Sequence, residues 1–422
     1  MSLSIIQERK EVVSGQGYVR PDYWLQLPYV DPTEQKFVGL FAVYDIYDNY
    51  VAFTCSGNYT VDWGDGVVEN VSSGVMAEHR YDYSAVSSST LCVRQYKQVI
   101  VTVTPQVSQN LTSINLNQVH SYITASGSGF FLTPWLHLRI SSPNLTTLNI
   151  KTNIFSSKQS LVEQVDLLSI SSSMTSFNSM FYNMYCLRRV TMPNTSNILD
   201  FRECFSGCFS LIDVPLFNTT NMTDMLDMFR SCNSLTNLPT FDISSVTTMQ
   251  QTFFNCLSLN NINFSGNSVN LLNLAGTFNN CQNLKTVSGI NYKNVTSIAS
   301  AFNTTKITSL KNLNTENCTN FTNFVSGSIK TIENLVTSAA TSFSISSSRS
   351  LVYIDFDVIS CDIDVSSCSL LSRDAIVNIF NKLKDLTSLP SKNINISQCF
   401  GRVYLTSTDR LIATNKNWTI TG

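Results

Sequence analysis

"DMFRSCNSLTNLPTF" (227–241) decides the fold, because the chain writes the same phrase again on both sides of it. "CFSGCFSLIDVPLF" (204–217) precedes it, and "TFFNCLSLNNINF" (252–264) and "TFNNCQNLKTVSGI" (277–290) follow. With its phenylalanine as anchor, the phrase recurs at Phe181, Phe205, Phe229, Phe253, Phe278 and Phe302, at spacings of 24, 24, 24, 25 and 24 residues. Three positions after the anchor stand Cys208, Cys232, Cys256 and Cys281, with Met184 and Thr305 in the two end copies. Six after it stand Leu187, Leu211, Leu235, Leu259 and Leu284, and four before it Phe177, Phe201, Met225, Met249, Leu274 and Ile298.

A copy this short cannot bury its own apolar side, so the copies must stack and bury it jointly as a solenoid. The period falls in the leucine-rich-repeat range. Within one copy, Met249, Phe253 and Cys256 in "VTTMQQTFFNC" (246–256) have helical spacing, which predicts one or two helical turns. The following "SLTNLPTF" (234–241) reads as extended, with Pro215 and Pro239 ending strand pairing early. Turns such as "DISS" and "NTTN" lead into the next copy. About eight coils at ~4.8 Å predict a rod of about 40 Å.

Beyond Phe302 the copies shorten and fade. "LSRDAIVNIFNKLKDL" (371–386) then predicts a true helix, with Ser372 as N-cap, Asp374 in the first turn and an Ile376, Phe380, Leu383 stripe. Residues 372–422 are expected to cap the stack, with Trp418 closing its core. The phenylalanine and cysteine columns (Phe181 to Phe302, Cys208 to Cys281) read as core. A metal ladder or disulfide stack is the competing reading of the cysteines, but free cysteine behaves as a small buried hydrophobe.

Composition narrows the function classes. A net charge of −2 gives no electrostatic reason to expect nucleic acid, and no apolar run reaches the length of a membrane span. Only 13% of residues are charged, and Asn, Ser and Thr take their place, as in β-rich extracellular surfaces. "MSLSIIQERKEVV" meets charges too soon for a signal peptide. The chain is therefore expected to fold in a cytosol with its twelve cysteines as thiols. Nothing brings a cofactor or metal set together.

A different module precedes the repeats. "YTVDWGDGVVEN" (59–70) is a strand, a Gly-Asp-Gly turn and a second strand, and "YKQVIVTVTP" (96–105) alternates as a closing strand. Trp63, Gly64, Asp65, Gly66, His79, Tyr81, Val99, Val101 and Val103 resemble the pattern of the PKD-type immunoglobulin-like sandwich, in a compact form with no residues inside the Trp-Gly-Asp-Gly turn. Asp62, Asp65, Glu69 and Glu78 could suggest calcium, but acids around glycines more often bind turn amides. Residues 106–160 are expected to bridge sandwich and solenoid. In residues 1–36, Tyr18, Arg20, Pro21, Tyr23, Trp24, Pro28 and Tyr29 form an extended aromatic stretch. It either packs on the chain's own sandwich or is a docking arm for a larger assembly.

"MFRSCNSLTNLPTFDISSVTTM" (228–249) resembles the BspA-like leucine-rich repeats of bacterial surface proteins, over about 161–370. "RPDYWLQLP" (20–28), "TVDWGDG" (60–66) and "DRLIATNKNWTITG" (409–422) are together similar to structural proteins of tailed phages. The fold class expected is mainly β with short helices. It comprises an arm (1–36), a PKD-like sandwich (37–105), a bridge (106–160), a solenoid of 24-residue repeats (161–371) and an α/β cap (372–422).

The resemblance implies a non-enzymatic virion protein assembled in the host cytoplasm. It would be held to other virion proteins through its arm and sandwich, presenting the solenoid as a tail fibre or head decoration for host attachment. A bacterial cell-surface adhesin is the alternative. A depolymerase would need paired carboxylates, whereas Asp213, Asp224, Asp227 and Asp242 fall in different phases of the repeat. Candidate recognition residues are the polar positions of the extended segments, namely Asp213, Thr236, Asn237, Asn260, Asn261, Lys285 and Thr286. Such a ladder suits sugar hydroxyls or a protein face, and is equally what any solenoid shows to water. Homo-oligomerisation stays open.

Overall fold

In the computed structural model, residues 18–46, 49–122, 134–150, 161–345 and 348–422 are described. The front of the chain forms two facing sheets. Strands β1 (Lys36–Val43), β3 (Tyr59–Asp62), β4 (Val68–Val71) and β6 (Lys97–Pro105) are antiparallel neighbours in the first, and β2 (Asn49–Ser56) and β5 (Met76–Tyr81) belong to the second. Val99, Val101 and Val103 point inward to Phe37, Phe53, Tyr59 and Trp63, as the alternation predicts. At the Gly-Asp-Gly turn, Gly64 has φ +78°, and a Cβ there would lie 2.4 Å from the Ile100 carbonyl oxygen. Only glycine fits.

The sandwich is not a separate bead. The bridge contributes β7 (Ser113–Asn115), β8 (Trp135–Ser141) and β9 (Thr147–Asn149); its residues 123–133 and 151–160 lie outside the described set. β8 pairs antiparallel with β1, then parallel with β10 (Gln164–Ser169), which pairs parallel with β11 (Arg189–Thr191). The seven-stranded sheet β11-β10-β8-β1-β6-β3-β4 thus changes from sandwich to solenoid without an edge. One apolar cluster extends from Phe37 to Trp418.

The coils stack in one ladder through Ser176, Asp200, Asp224, Thr248, Asn273, Ser297 and Asn320, and from its neighbour Phe321 onward through Phe343, Ile363, Ile394 and Ile420. These eleven rungs span roughly 48 Å at ~4.8 Å per step, longer than the eight coils expected. The difference comes from the faint distal copies, which close full coils, and from the C-terminal segment. That segment has the expected helix α1 (Arg373–Lys382), with Ser372 Oγ accepting from Ala375 N at 3.2 Å and Ile376, Ile379 and Phe380 buried. A second helix, α2 (Ser407–Thr414), starts at a Thr406/Asp409 capping box. Strands Lys392–Asn395 and Trp418–Thr421 pair in parallel and continue the ladder, so the expected cap supplies two more rungs as well as its helices.

The helical turns expected in 246–256 do not form. Alternate amides there leave the copy: Met249, Gln251, Phe253 and Asn255 donate to Asn273, Ala275, Thr277 and Asn279 of the next coil, all at 2.9 Å. The amides between them fold back three residues, as Thr252 N to Met249 O (3.1 Å) and Cys256 N to Phe253 O (3.0 Å). A left-handed residue two positions either side of each anchor makes this possible: Ser179 and Asn183, Glu203 and Gly207, Asp227 and Ser231, Gln251 and Asn255, Gly276 and Asn280, Ser300 and Thr304. A helix would aim every amide along its own axis. Here the left-handed residues turn alternate N–H groups along the stack, where the neighbouring coil satisfies them. The apolar spacing is the same in both arrangements.

The extended segments behave as their prolines require. Asn261–Ser265 and Thr286–Ser288 pair as strands. Around Pro215 no strand forms, and beside Pro239 pairing is confined to Phe241–Asp242, which lie against Phe264–Ser265 of the next coil, because proline offers no N–H to the ladder.

Candidate recognition face

Inside the coil the two columns stack on themselves. The rings of Phe181, Phe205, Phe229, Phe253, Phe278 and Phe302 lie 5.0 to 5.8 Å apart and within 20° of parallel. Each column thiol donates to the anchor carbonyl of the preceding coil: Cys208 to Phe181 (3.1 Å), Cys232 to Phe205 (3.2 Å), Cys256 to Phe229 (3.1 Å) and Cys281 to Phe253 (2.9 Å). Burial raises all four pKa values, that of Cys281 to about 12. All twelve cysteines are buried as thiols. Among the described residues no group of three or more His, Cys, Asp or Glu could hold a metal, and no helix is long and apolar enough to cross a membrane.

The acids that might have marked chemistry are used locally. Asp224 Oδ1 accepts from Leu226 N (2.8 Å), Asp227 pairs with Arg230 (3.1 Å) and Asp242 Oδ1 accepts from Ser244 N (2.9 Å). Burial raises the pKa of Asp224 and Asp227. In the sandwich, Asp62 and Asp65 accept from the amides of Gly64 (2.9 Å) and Val67 (3.1 Å). Asp65 also meets His79 Nε2 at 2.8 Å, and the imidazole stacks on Trp63 at 4.9 Å.

The seven candidate recognition residues do come together. Asp213, Asn237, Asn261 and Thr286 occupy the same position of four successive coils and are exposed, while Val214, Ile262 and their equivalents one residue on point inward. Thr236 and Asn260, half-buried, and the exposed Lys285 flank that row. The strand register extends it toward the N-terminus: Asn261 faces Thr286, and Gln164 faces both Arg189 and His137. A parallel row contains Arg139, Asp166 and Thr191 at one end and Asn263 and Ser288 further along. Side chains bond along the rows, Thr286 Oγ1 to Asn261 Oδ1 and Ser288 Oγ to Asn263 Oδ1, both at 2.7 Å. The result is a flat surface of short hydroxyl and amide groups over an aromatic core.

The first rungs of this face are covered. Residues 18–36 lie on them, with Trp24, Leu27 and Val30 buried against Val38, Leu40, Ala42 and Leu136. Trp24 Nε1 donates to Tyr96 Oη (3.0 Å), and Gln98 clamps Leu25 N and the Tyr23 carbonyl, both at 3.0 Å. Arg20 donates to the carbonyl of Trp24 (3.2 Å), to that of Leu25 and to His137 Nδ1 (3.3 Å). Of the two readings left open for the arm, packing on the chain's own sheet is the one seen. Trp24, at 3% exposure, is no anchor for an outside partner. Pro21 and Tyr23 are half-buried, and Pro28 and Tyr29 face outward.

Beneath the arm is a buried cluster that the sequence reading missed. His137 Nε2 is 2.8 Å from Asp166 Oδ2, Arg139 Nη2 is 3.0 Å from the same oxygen, and Gln164 Nε2 donates to Asp166 Oδ1 (2.9 Å). Burial opposes ionisation of Asp166, but the His137, Gln164 and Arg139 contacts outweigh it and hold the carboxyl far below its usual range. Burial lowers the pKa of His137, with Arg20 and Arg139 acting the same way and Asp166 against them. "LHLRI" carried the signal, since His137 and Arg139 alternate with Leu138 and so share the outer face.

The repeats match a family described as "Mycoplasma protein of unknown function, DUF285" over residues 175–286 and 272–345. No curated protein matches. Among solved structures the chain is similar to a leucine rich cell surface protein from Faecalibacterium prausnitzii A2-165. The identity is 14%, coverage is 63% of this chain and 84% of that one, and the TM-score is 0.21.

Proposed function

We propose that this chain is a non-enzymatic surface protein of the adhesin type, whose solenoid recognises a glycan or protein through the polar rows of its strand face. One observation carries the reading: Asp213, Asn237, Asn261 and Thr286 are exposed at the same position of four successive coils, with Asn261 and Thr286 paired in register. Such a row repeats one hydrogen-bonding unit every ~4.8 Å, which suits a ligand that itself repeats or lies flat.

The test is binding of the purified full chain to glycan and protein arrays. Asn261→Arg together with Thr286→Arg should abolish any specific signal. Thr220→Arg, on an exposed turn of the same coils, should leave it intact. Equal binding by both variants, or loss with Thr220→Arg alone, would refute the assignment of the face.

A second reading, a tailed-phage virion component, is favoured by the joint occurrence of "RPDYWLQLP", "TVDWGDG" and "DRLIATNKNWTITG" in one chain. In it the sandwich, PKD-like in its Trp63 to Gly66 turn, and the outward Pro28 and Tyr29 would contact other virion proteins. The two readings use the same face and differ in what carries the protein.

A further inference from the structure

We propose that the arm of residues 18–36 is a pH-sensitive strap, held against the sheet while His137 is neutral and loosened when His137 takes up a proton. The hydrogen bonds fix the neutral tautomer. Arg20 Nε donates to His137 Nδ1, so that nitrogen carries a lone pair, and the ring proton sits on Nε2 facing Asp166 Oδ2. The charged groups around the imidazole are Arg20 on the arm, Arg139 on its own strand and Asp166 on β10. Tyr18 lies beside Arg20, Gln164 and Thr191 contact Asp166, and β1 opposes His137 with Leu40, which carries no charge. Two guanidiniums therefore already share one carboxylate.

A proton on Nδ1 sets donor against donor at the Arg20 contact and adds a third cation to the set. The imidazole is 1% exposed, so water does not relieve that repulsion. Arg20 is the group that can leave. Its guanidinium also holds the carbonyls of Trp24 and Leu25, so its departure undoes the turn that seats the Trp24 indole. Burial and the two arginines place His137 on the neutral side at pH 7, and its protonation requires a pH below the ordinary histidine range.

The strap covers two thiols, which makes its state measurable. Cys92 and Cys186 belong to the apolar cluster that contains Trp24, whereas Cys281 lies in the solenoid core. The full chain is pulsed with 4,4′-dithiodipyridine, which reacts in acid, from about pH 7.5 to about pH 4.5. Labelling of each cysteine is read by mass spectrometry against a free-thiol peptide. Labelling of Cys92 and Cys186 relative to Cys281 should rise about tenfold or more, with its midpoint below the ordinary histidine pKa of about 6.5. In His137→Gln the rise should be absent. A flat wild-type profile, a parallel rise at Cys281 or an unchanged rise in His137→Gln would each overturn the proposal. Should His137→Gln not fold, Arg20→Gln decides: high labelling at every pH supports the strap, and the wild-type profile contradicts it.

Discussion

At the scale of single residues, repetition turns weak contacts into columns. Phe229 stacks between Phe205 and Phe253, so its loss leaves a cavity that no neighbour can fill without leaving its own stack. Phe229→Ala should cost roughly 3–5 kcal/mol in chemical denaturation. The cysteine column should be inert: burial raises the thiol pKa values and each S–H is engaged, so native protein should not alkylate at Cys208, Cys232 or Cys256. Rapid native labelling there would contradict the packing. Asn255 sits at φ 63°. Asn255→Val should destabilise by about 1–2 kcal/mol, while Asn255→Gly should be close to neutral in the same melt.

His137 and Asp166 give the pH dependence a definite sign. Both have folded pKa values below their unfolded ones, so the unfolded chain binds more protons. Their stabilisation is complete at neutral pH. It declines below about pH 6.5 through His137 and again below about pH 4 through Asp166. In Asp166→Asn with His137→Gln, a urea midpoint followed against pH should lose most of this slope.

At the scale of elements, the copy was legible and its backbone was not. Apolar columns repeat in sequence because inward positions repeat in space, so period, core and extended segments could be read directly. The helical spacing of Met249, Phe253 and Cys256 misled because it records only which side chains point inward. Two other columns held the missing information. The residue five before each anchor is Ser176, Asp200, Asp224, Thr248, Asn273 or Ser297, and Asn320, five before the Val325 that pairs with Phe302, continues the column. Each accepts from the amide two residues on, as Asp200 from Arg202 N (3.0 Å) and Asn273 from Ala275 N (2.9 Å). A turn acceptor in every copy argues against a helix passing through that point.

A second set bonds between coils. Thr223, Thr247 and Thr296 donate to the carbonyls of Leu199, Thr223 and Leu272, at 3.0 to 3.1 Å. Asn197, Asn221 and Asn294 do the same from the turns. These contacts account for the abundance of Asn and Thr in physical terms: short side chains reach the carbonyl of the coil below, and charged ones would crowd the next copy.

At the scale of the whole molecule, the shared sheet and core make sandwich and solenoid one body. β8 has the sandwich on one side and the solenoid on the other. A fragment beginning after β8 would expose Val165, Leu167 and Val190, all buried in the full chain. Residues 161–422 alone should therefore aggregate or melt well below the full chain, whereas a solenoid merely tethered to its neighbour would melt unchanged. The arm shows why sequence could not rank its two readings. Aromatic residues in an extended segment anchor equally well to a partner or to the chain's own sheet, and only the position of the outer face of β1 and β8 decides between them.

The proposed recognition role requires that this protein act from an outer surface, and its location tests that most directly. Immunogold electron microscopy of the source culture should place the label outside, on cell envelopes for an adhesin or on particles for a virion component. Label confined to the cytosol of intact cells, with envelopes and particles bare, would contradict it.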